Sequence, residues 1–224
     1  MDHKKLLLIT IGALLTSFTI KAQLKNPGSW TILNVKHYLK NKFSISTEIE
    51  LRSLSLYDRF YYYEAKAGVS YSIKPTFSVA VGTGVYNTFN EGAGFDKYTR
   101  QKETRLWEQF EFDQHLSIIK IDHRLRIEQR FKQHYENLFR YRLNVSAPIN
   151  KKKIEPKALW ANVYDEVFLR DKVPELILNR FEAGLGYTFN KYIAIQSGWL
   201  RQQGFNDHFN RRKSYLLVSL ALKI

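Results

Sequence analysis

The chain has 224 residues, no cysteine, a formal net charge of +14 and 15% aromatic residues. This length suits one large domain, and the lack of cysteine excludes a disulfide framework. The basic charge is compatible with nucleic acid, a membrane surface or acidic glycolipid as partner.

The N-terminal residues predict export from the cytoplasm. Lys4 and Lys5 precede the apolar run LLLITIGALLTSFTI, and Ala22 supplies a small residue before the expected cleavage site. This order is typical of a cleavable signal peptide, and the run is short for a spanning helix. We therefore expect a signal peptide at 1–22 and a single domain at 23–224. Export disfavours nucleic acid as a partner, and any membrane span after Gln23 has to be made of strands.

Alternating segments follow one another along the rest of the chain. The predicted strands are 29–39, 43–53, 59–73, 77–89, 103–116, 122–132, 138–149, 158–169, 176–189, 192–203 and 214–224. Successive side chains of a strand point to opposite faces. Each segment has roughly the length that crosses a bilayer when tilted.

The segment 122–132 shows the alternation clearly. Leu125 and Ile127 share one face with His123, whereas Arg124 and Arg126 share the other. A water-soluble sheet packs its apolar face on a core, whereas a transmembrane barrel turns it towards lipid and its polar face into a lumen. A soluble periplasmic sandwich is the structural alternative to a barrel.

The connections between the strands favour the barrel. Short turns are expected at KNK, IKPT, SIIK and NK, and longer loops at SLYD, 90–102, QHYEN, RDKVPE and 204–213, with 148–157 as the exception. Short turns on one side and longer loops on the other are typical of outer-membrane barrels, with the short turns periplasmic. We predict an all-β, antiparallel up-and-down transmembrane β-barrel of about 10–12 strands. Eleven strands conflict with the even number usual in bacteria, so either one strand is miscounted or residues 24–39 are unusual.

Several short motifs, moderately specific as a set, resemble a known family over most of the mature chain. They are Trp30, 103–109 (ETRLWEQ), 123–131 (HRLRIEQRF), 140–143 (RYRL), 165–168 (DEVF), 179–180 (NR), 184–187 (GLGY), 198–199 (GW) and Gln202. The chain resembles a family of Gram-negative outer-membrane barrels catalogued as domain of unknown function 2490. The resemblance implies a barrel fold and an outer-membrane location, and it carries no catalytic residues.

The charged faces of the strands make the main candidate site, a charge network in the lumen. Its predicted members are Glu48, Glu50, Glu64, Glu111, Asp113, Arg124, Arg126, Glu128, Arg130, Arg140, Arg142, Glu166, Arg180 and Glu182. In a small barrel such side chains fill the interior. The network is either a salt-bridged plug that holds the barrel rigid or a charge-lined path or small-ligand site.

No enzyme signature is present in the sequence. There is no Gly-x-Ser-x-Gly elbow, His-Glu-x-x-His motif or phosphate loop. His115 and His123 flank one predicted hairpin and can approach each other, and Asn206-Asp207-His208 falls in a predicted outer loop. Neither group includes a serine nucleophile or a third ligand. We therefore expect no enzymatic activity, no metal and no cofactor.

Basic residues crowd two predicted outer loops. They are Lys97, Arg100, Lys102, Arg211, Arg212 and Lys213. Such residues pair with glycolipid phosphates or are simply solvated. Outer-membrane lipid and glycolipid are the expected partners, and a small solute or a protein partner stays open. Three functions remain: a plugged barrel with a structural or binding role, a narrow pore for small solutes, and a lipid-active enzyme.

Overall fold

Eleven strands make up most of the described chain. The computed structural model describes residues 26–90, 95, 99–171, 175–205 and 212–224. The strands are β1 (Gly28–Tyr38), β2 (Phe43–Ser55), β3 (Asp58–Lys74), β4 (Phe77–Phe89), β5 (Thr99–Leu116), β6 (Ile119–Phe131), β7 (Glu136–Pro148), β8 (Leu159–Arg170), β9 (Glu175–Thr188), β10 (Ile193–Gly204) and β11 (Arg212–Lys223). The predicted signal peptide lies outside the described residues. Among the described residues no helix is long and apolar enough to cross a membrane.

The strands form a closed barrel in which each strand from β1 to β11 pairs antiparallel with the next along the chain. The barrel is closed by β1 and β11, which pair in parallel from Gly28↔Tyr215 to Lys36↔Lys223. The all-β barrel fold and its strand number are therefore as predicted. The odd number is accommodated because the two terminal strands run in the same direction, so residues 28–38 are the unusual element.

The alternation in the sequence explains which face of the sheet is inside. Glu50, Glu64 and Glu128 are buried, whereas Val81 is 60% exposed and Leu125 is 54% exposed. With a period of two, the buried charged residues of each strand share the inner face and the exposed apolar residues share the outer one. The charged side chains thus line the lumen, and the apolar side chains face the surroundings.

The barrel has two ends, named here from the chain termini. The N-terminal end is where β1 and β11 begin and holds the connections 56–57, 90–98, 132–135, 171–174 and 205–211; the C-terminal end is where they finish and holds 39–42, 75–76, 117–118, 149–158 and 189–192. The predicted contrast in loop length is wrong at SLYD, which is a tight turn of Leu56 and Tyr57 with Tyr57 at φ 52°. The connection 149–158 is the longest at its end, in agreement with the exception predicted at 148–157.

Two glycines leave room in the lumen for a tryptophan. Gly68 and Gly82 are cross-strand partners, and Gly82 is also opposite Trp107. A Cβ atom on Gly82 would lie 2.1 Å from the Trp107 ring and 2.4 Å from the backbone oxygen of Ala67. The indole of Trp107 therefore lies directly against the bare backbone of β3 and β4.

We expect Gly82→Val to destabilise the barrel by about 3 kcal/mol, because the added side chain overpacks against Trp107 and backbone that cannot yield. The measurement is the urea midpoint of the purified protein in detergent. Ala67→Val is the matched control, since Ala67 is exposed on the outer face of the same strand pair. Equal midpoints for the two variants would contradict the packing of Trp107 on Gly82.

Candidate functional site in the barrel lumen

The N-terminal half of the lumen is filled by arginines stacked on aromatic rings. The Arg52 guanidinium lies 3.5 Å from the centre of the Trp30 ring and 3.9 Å from that of Tyr62. Arg105 lies 3.9 Å above Tyr86. Each stack combines a cation–π attraction with the exclusion of water from the charged group. We call this layer the plug; its members are Trp30, Arg52, Tyr62, Tyr86, Arg105, Glu128, Arg140, Phe168 and Arg180.

Two buried carboxylates hold the arginines of the plug. Glu128 is fully buried and accepts hydrogen bonds from Arg105 at 2.9 Å and from Arg140. Glu166 is 2% exposed and accepts a hydrogen bond from Arg140 at 2.9 Å. Arg140 thus bridges both carboxylates, and it stacks on Phe168 as well. Ion pairs with this many hydrogen bonds satisfy the buried charges and make the layer rigid.

Three carboxylates on β2 and β3 surround one lysine. The Lys66 ammonium is paired with Glu48, with Glu64 at 2.6 Å and with Glu50 at 3.5 Å. The oxygens of these glutamates lie within 4.8 Å of one another, which is close enough for a shared cation. Lys66 already supplies positive charge at the centre, and Arg52 pairs with Glu50 and Glu64 from the other side. Two cationic side chains of the protein thus compensate most of the charge of the three carboxylates.

A further ion-pair group lies at the N-terminal end. Glu103 accepts hydrogen bonds from Arg105 and Arg130, and Arg130 also donates to Glu136 at 3.1 Å. Lys132 joins the group through Glu136 at 2.7 Å. Charged and aromatic side chains therefore fill the described lumen from the middle of the barrel to this end.

The C-terminal half of the lumen is a cavity, which we call the cup. It has a volume of about 890 Å³ and reaches from Trp30 in the plug and the neighbouring Glu166 to the turn residues Lys152 and Lys153. Nine lysines and arginines line it, against four aspartates and glutamates. A second cavity of about 330 Å³ borders it and shares Arg124 and Arg142 with it. The cup is therefore strongly basic and is closed by the plug at its inner end.

The structure places all fourteen predicted network residues on the inner face, where most of them form ion pairs. Arg124, Arg126, Arg130, Arg140 and Arg180 pair with Glu103, Glu128, Glu136 or Glu166. Glu111 instead accepts from Gln109 and Ser78, Asp113 pairs with Lys120, and Glu182 accepts from Asn162 and Gln196. No ion pair of Glu111, Glu182 or Arg142 is found among the described residues.

Sequence reasoning left several lumen residues out of the network. They are Trp30, Arg52, Lys66, Glu103, Arg105, Lys120 and Glu136. The signal that identifies them is the same alternation, because Arg52 and Lys66 follow Glu50 and Glu64 at a spacing of two. The aromatic partners carry no comparable signal, since tyrosine and tryptophan occur on both faces of these strands.

The predicted basic loops are only partly described. Lys97 and Arg211 lie outside the described residues. Arg100, Lys102 and Arg212 are exposed at the N-terminal end, but they lie in β5 and β11 rather than in loops, because both strands begin earlier than predicted. Lys213 differs from the prediction, because its ammonium lies 5.7 Å from the Tyr61 ring and 5.8 Å from the Tyr215 ring. It belongs to β11 and packs on these rings, since the strand begins earlier than predicted.

The predicted approach of His115 and His123 is wrong. His115 lines the cup, whereas His123 bonds the Tyr141 hydroxyl at 2.9 Å on the outer face. The two residues point to opposite faces, because His123 is opposite Phe112 rather than His115 in the hairpin register. Asn206-Asp207-His208 lies outside the described residues.

Fold and lumen together define a class: a small closed β-barrel with a charged interior, an apolar exterior and a basic cavity at one end. Comparison with protein families gives a more specific assignment. The chain belongs to the family described as "Protein of unknown function (DUF2490)", whose model matches residues 27–213. A search of curated proteins and a search of solved structures find no match to the chain.

Proposed function

We propose that the chain is an outer-membrane β-barrel whose lumen is plugged by salt bridges and whose role is structural or ligand-binding. One observation carries the proposal, the inversion of polarity between the two faces of the sheet. Glu128 and Glu182 are fully buried inside, whereas Val81, Leu125 and Leu185 are more than half exposed outside. Such a surface is unstable in water, but it matches the hydrocarbon of a bilayer.

Aromatic residues at both ends support the same proposal. Phe43 packs against Tyr71 near the C-terminal end, with ring centres 4.9 Å apart. Phe131 packs against Tyr135 near the N-terminal end at 5.6 Å. Outer-membrane barrels carry such aromatic girdles at the two lipid–water interfaces. The predicted signal peptide supplies the export that this location requires.

The orientation follows the shorter turns. We place the C-terminal end in the periplasm, so the cup opens there and the N-terminal end faces outwards. Arg100, Lys102 and Arg212 are then exposed on the outer side, at the height of glycolipid phosphates. Outer-membrane lipid and glycolipid are therefore the proposed partners of the outer rim.

Cell fractionation tests the location. We expect the protein in the outer-membrane pellet, and we expect its band in unheated gel samples to migrate differently from that in heated samples, because a closed barrel stays folded in cold detergent. Recovery in the soluble periplasmic fraction would show that the barrel is not a membrane protein.

The alternative function is a narrow pore for small solutes, and the cup favours it because it already occupies half of the lumen. The plug argues against it, since Arg52 and Trp30 fill the middle of the barrel with side chains that are 6% and 2% exposed. We therefore expect no single-channel conductance in planar bilayers, with an open porin as positive control. Steady conductance steps from the purified protein would favour the pore instead.

We propose no enzymatic activity for the barrel. A lipid-active barrel requires a histidine beside a serine nucleophile. Among the described histidines, His123 forms a side-chain hydrogen bond, and its partner is the hydroxyl of Tyr141 rather than that of a serine. Absence of lipid hydrolysis by the pure protein is the expected result, and hydrolysis would restore the enzyme hypothesis.

A further inference from the structure

Four arginines lie together where the cup meets the smaller cavity, and they outnumber the two carboxylates that pair with them, Glu128 and Glu166. Arg124 is directly opposite Arg142 in the register of β6 and β7, and Arg126 is directly opposite Arg140. Side chains directly opposite on neighbouring strands have Cβ atoms about 4.5–5.5 Å apart, and like charges in such positions repel each other. The four arginines thus form a square of positive charge on one wall of the lumen.

The neighbouring carboxylate is already occupied. Glu166 is opposite Arg142 in the register of β7 and β8, but its oxygens lie 2.6 Å from Arg124, 2.9 Å from Arg140 and 3.7 Å from Arg180. Arg142 has no carboxylate within 4.0 Å among the described residues, and its guanidinium lies 5.4 Å from the Tyr164 ring. Glu166 is therefore shared by three guanidinium groups, and Arg142 is left without an ion pair among the described residues.

Hydrogen-bond donors of the group are left without acceptors. Nη1 of Arg126 is buried without a hydrogen-bond partner, in a residue that is only 5% exposed, and its distance to Glu128 is 3.6 Å. Nε of Arg124 is also buried without a partner. Both residues line the smaller cavity together with Arg142. Buried donors without acceptors are costly, and a bound anion would satisfy them.

We propose that the cup and the adjoining smaller cavity bind a multivalent oxyanion, with a phosphate group held where they meet by Arg124, Arg126 and Arg142. A phosphate presents more oxygens than a carboxylate, and it can therefore accept from three arginine forks at once. The cavity of about 890 Å³ has the size of small-molecule sites in proteins, so the phosphate is attached to a larger molecule. Lys152 and Lys153 near the mouth add positive charge along the path of entry.

The proposal names a ligand class for the binding role proposed above. It rests on the proposed outer-membrane location only for the compartment from which the ligand enters. A closed barrel has no lateral opening between its strands. A phosphate from a soluble molecule therefore enters through the mouth, whereas a phospholipid head group has to come from the aqueous side with its chains.

Titration calorimetry on the full chain in uncharged detergent tests the site. The probes are pyrophosphate, for a soluble phosphate, and dihexanoyl phosphatidic acid, for a lipid phosphate. We expect saturable binding of pyrophosphate, which Arg142→Gln weakens by at least about tenfold. Arg142→Lys keeps the positive charge but lacks the paired N–H donors of the guanidinium group. This variant should bind pyrophosphate with intermediate affinity. Tighter binding of the lipid probe with the same Arg142 dependence would support the phosphate site and identify a lipid source.

Lys74→Gln is the matched control, because it removes one positive charge at the same end of the barrel from an exposed side chain outside the cavities. It should bind pyrophosphate within about twofold of the unchanged chain. Thermal melting verifies folding, and Arg142→Gln should be at least as stable as the unchanged chain, because it relieves the repulsion with Arg124. No binding of either probe, or equal affinity in folded Arg142→Gln, would overturn the proposal. A failure to bind phosphate would not change the fractionation result. The phosphate site and the outer-membrane location can therefore be rejected independently of each other.

Discussion

Glu166→Gln is expected to lower the free energy of unfolding of the barrel by about 3–5 kcal/mol, the usual cost of removing one partner from a buried ion pair. The carboxylate lies among Arg124, Arg140 and Arg180, and its side chain is 3% exposed. Glutamine has the same shape but no charge. Its amide group would also direct donors at guanidinium groups that already donate. The measurement is the urea midpoint in detergent.

Glu111→Gln is the matched control for this prediction. Glu111 also points into the lumen, but it accepts hydrogen bonds from the neutral side chains of Gln109 and Ser78. We expect a loss of less than about 1 kcal/mol, since glutamine keeps an accepting oxygen. Adding Arg180→Met to Glu166→Gln should restore part of the stability, because one uncompensated charge is removed. Equal losses in Glu111→Gln and Glu166→Gln would show that Glu166 has no special role in holding the arginines.

A pair of cysteines across the junction of β1 and β11 is expected to form a disulfide nearly quantitatively. The natural chain has no cysteine, so any cross-link comes from the introduced pair. Thr31 is opposite Val218 and Val35 is opposite Leu222, both on the outer face of the junction. Directly opposite strand positions have Cα separations that a disulfide can span. Thr31→Cys/Val218→Cys and Val35→Cys/Leu222→Cys should both cross-link, as measured by gel mobility with and without reductant.

The mismatched pair Thr31→Cys/Leu222→Cys is the control. Its positions are four residues apart along the strand direction, about 13 Å, which is beyond the reach of a disulfide. In an antiparallel junction the two matched pairs could not both be opposite, since the partner of a later residue would lie earlier in β11. Cross-linking of only one matched pair would therefore contradict the parallel closure.

The sequence predicted the strands and their inner faces well. The predicted 43–53 and 77–89 correspond to β2 (Phe43–Ser55) and β4 (Phe77–Phe89). A two-residue period survives in any sheet, because it depends only on the local geometry of an extended chain. For the same reason the alternation alone predicts that Arg124 and Arg140 face the lumen, where both form ion pairs.

Loop lengths and side-chain pairing were predicted less well. SLYD becomes a tight turn because β2 continues past a register shift between Arg52 and Ser53, which alternation does not reveal. The sequence did not indicate which carboxylates hold the arginines: Glu128 and Glu166 do so, whereas Glu111 bonds Gln109 and Asp113 pairs with Lys120. Which carboxylate reaches which guanidinium depends on the register of three strands and on contacts across the lumen.

The sequence by itself determined that this chain forms amphipathic strands with charges on one face, because alternation is a property of neighbouring residues. Only the tertiary structure decided how the sheet closes. Gly28 and Tyr215 meet although most of the chain lies between them, and an edge strand can pair in either direction. The register of β6, β7 and β8 decided that Arg140 pairs with Glu128 and Glu166, whereas Arg142 has no ion pair among the described residues. The balance of charge in the lumen is thus a consequence of the register between paired strands, which the alternation within one strand does not contain.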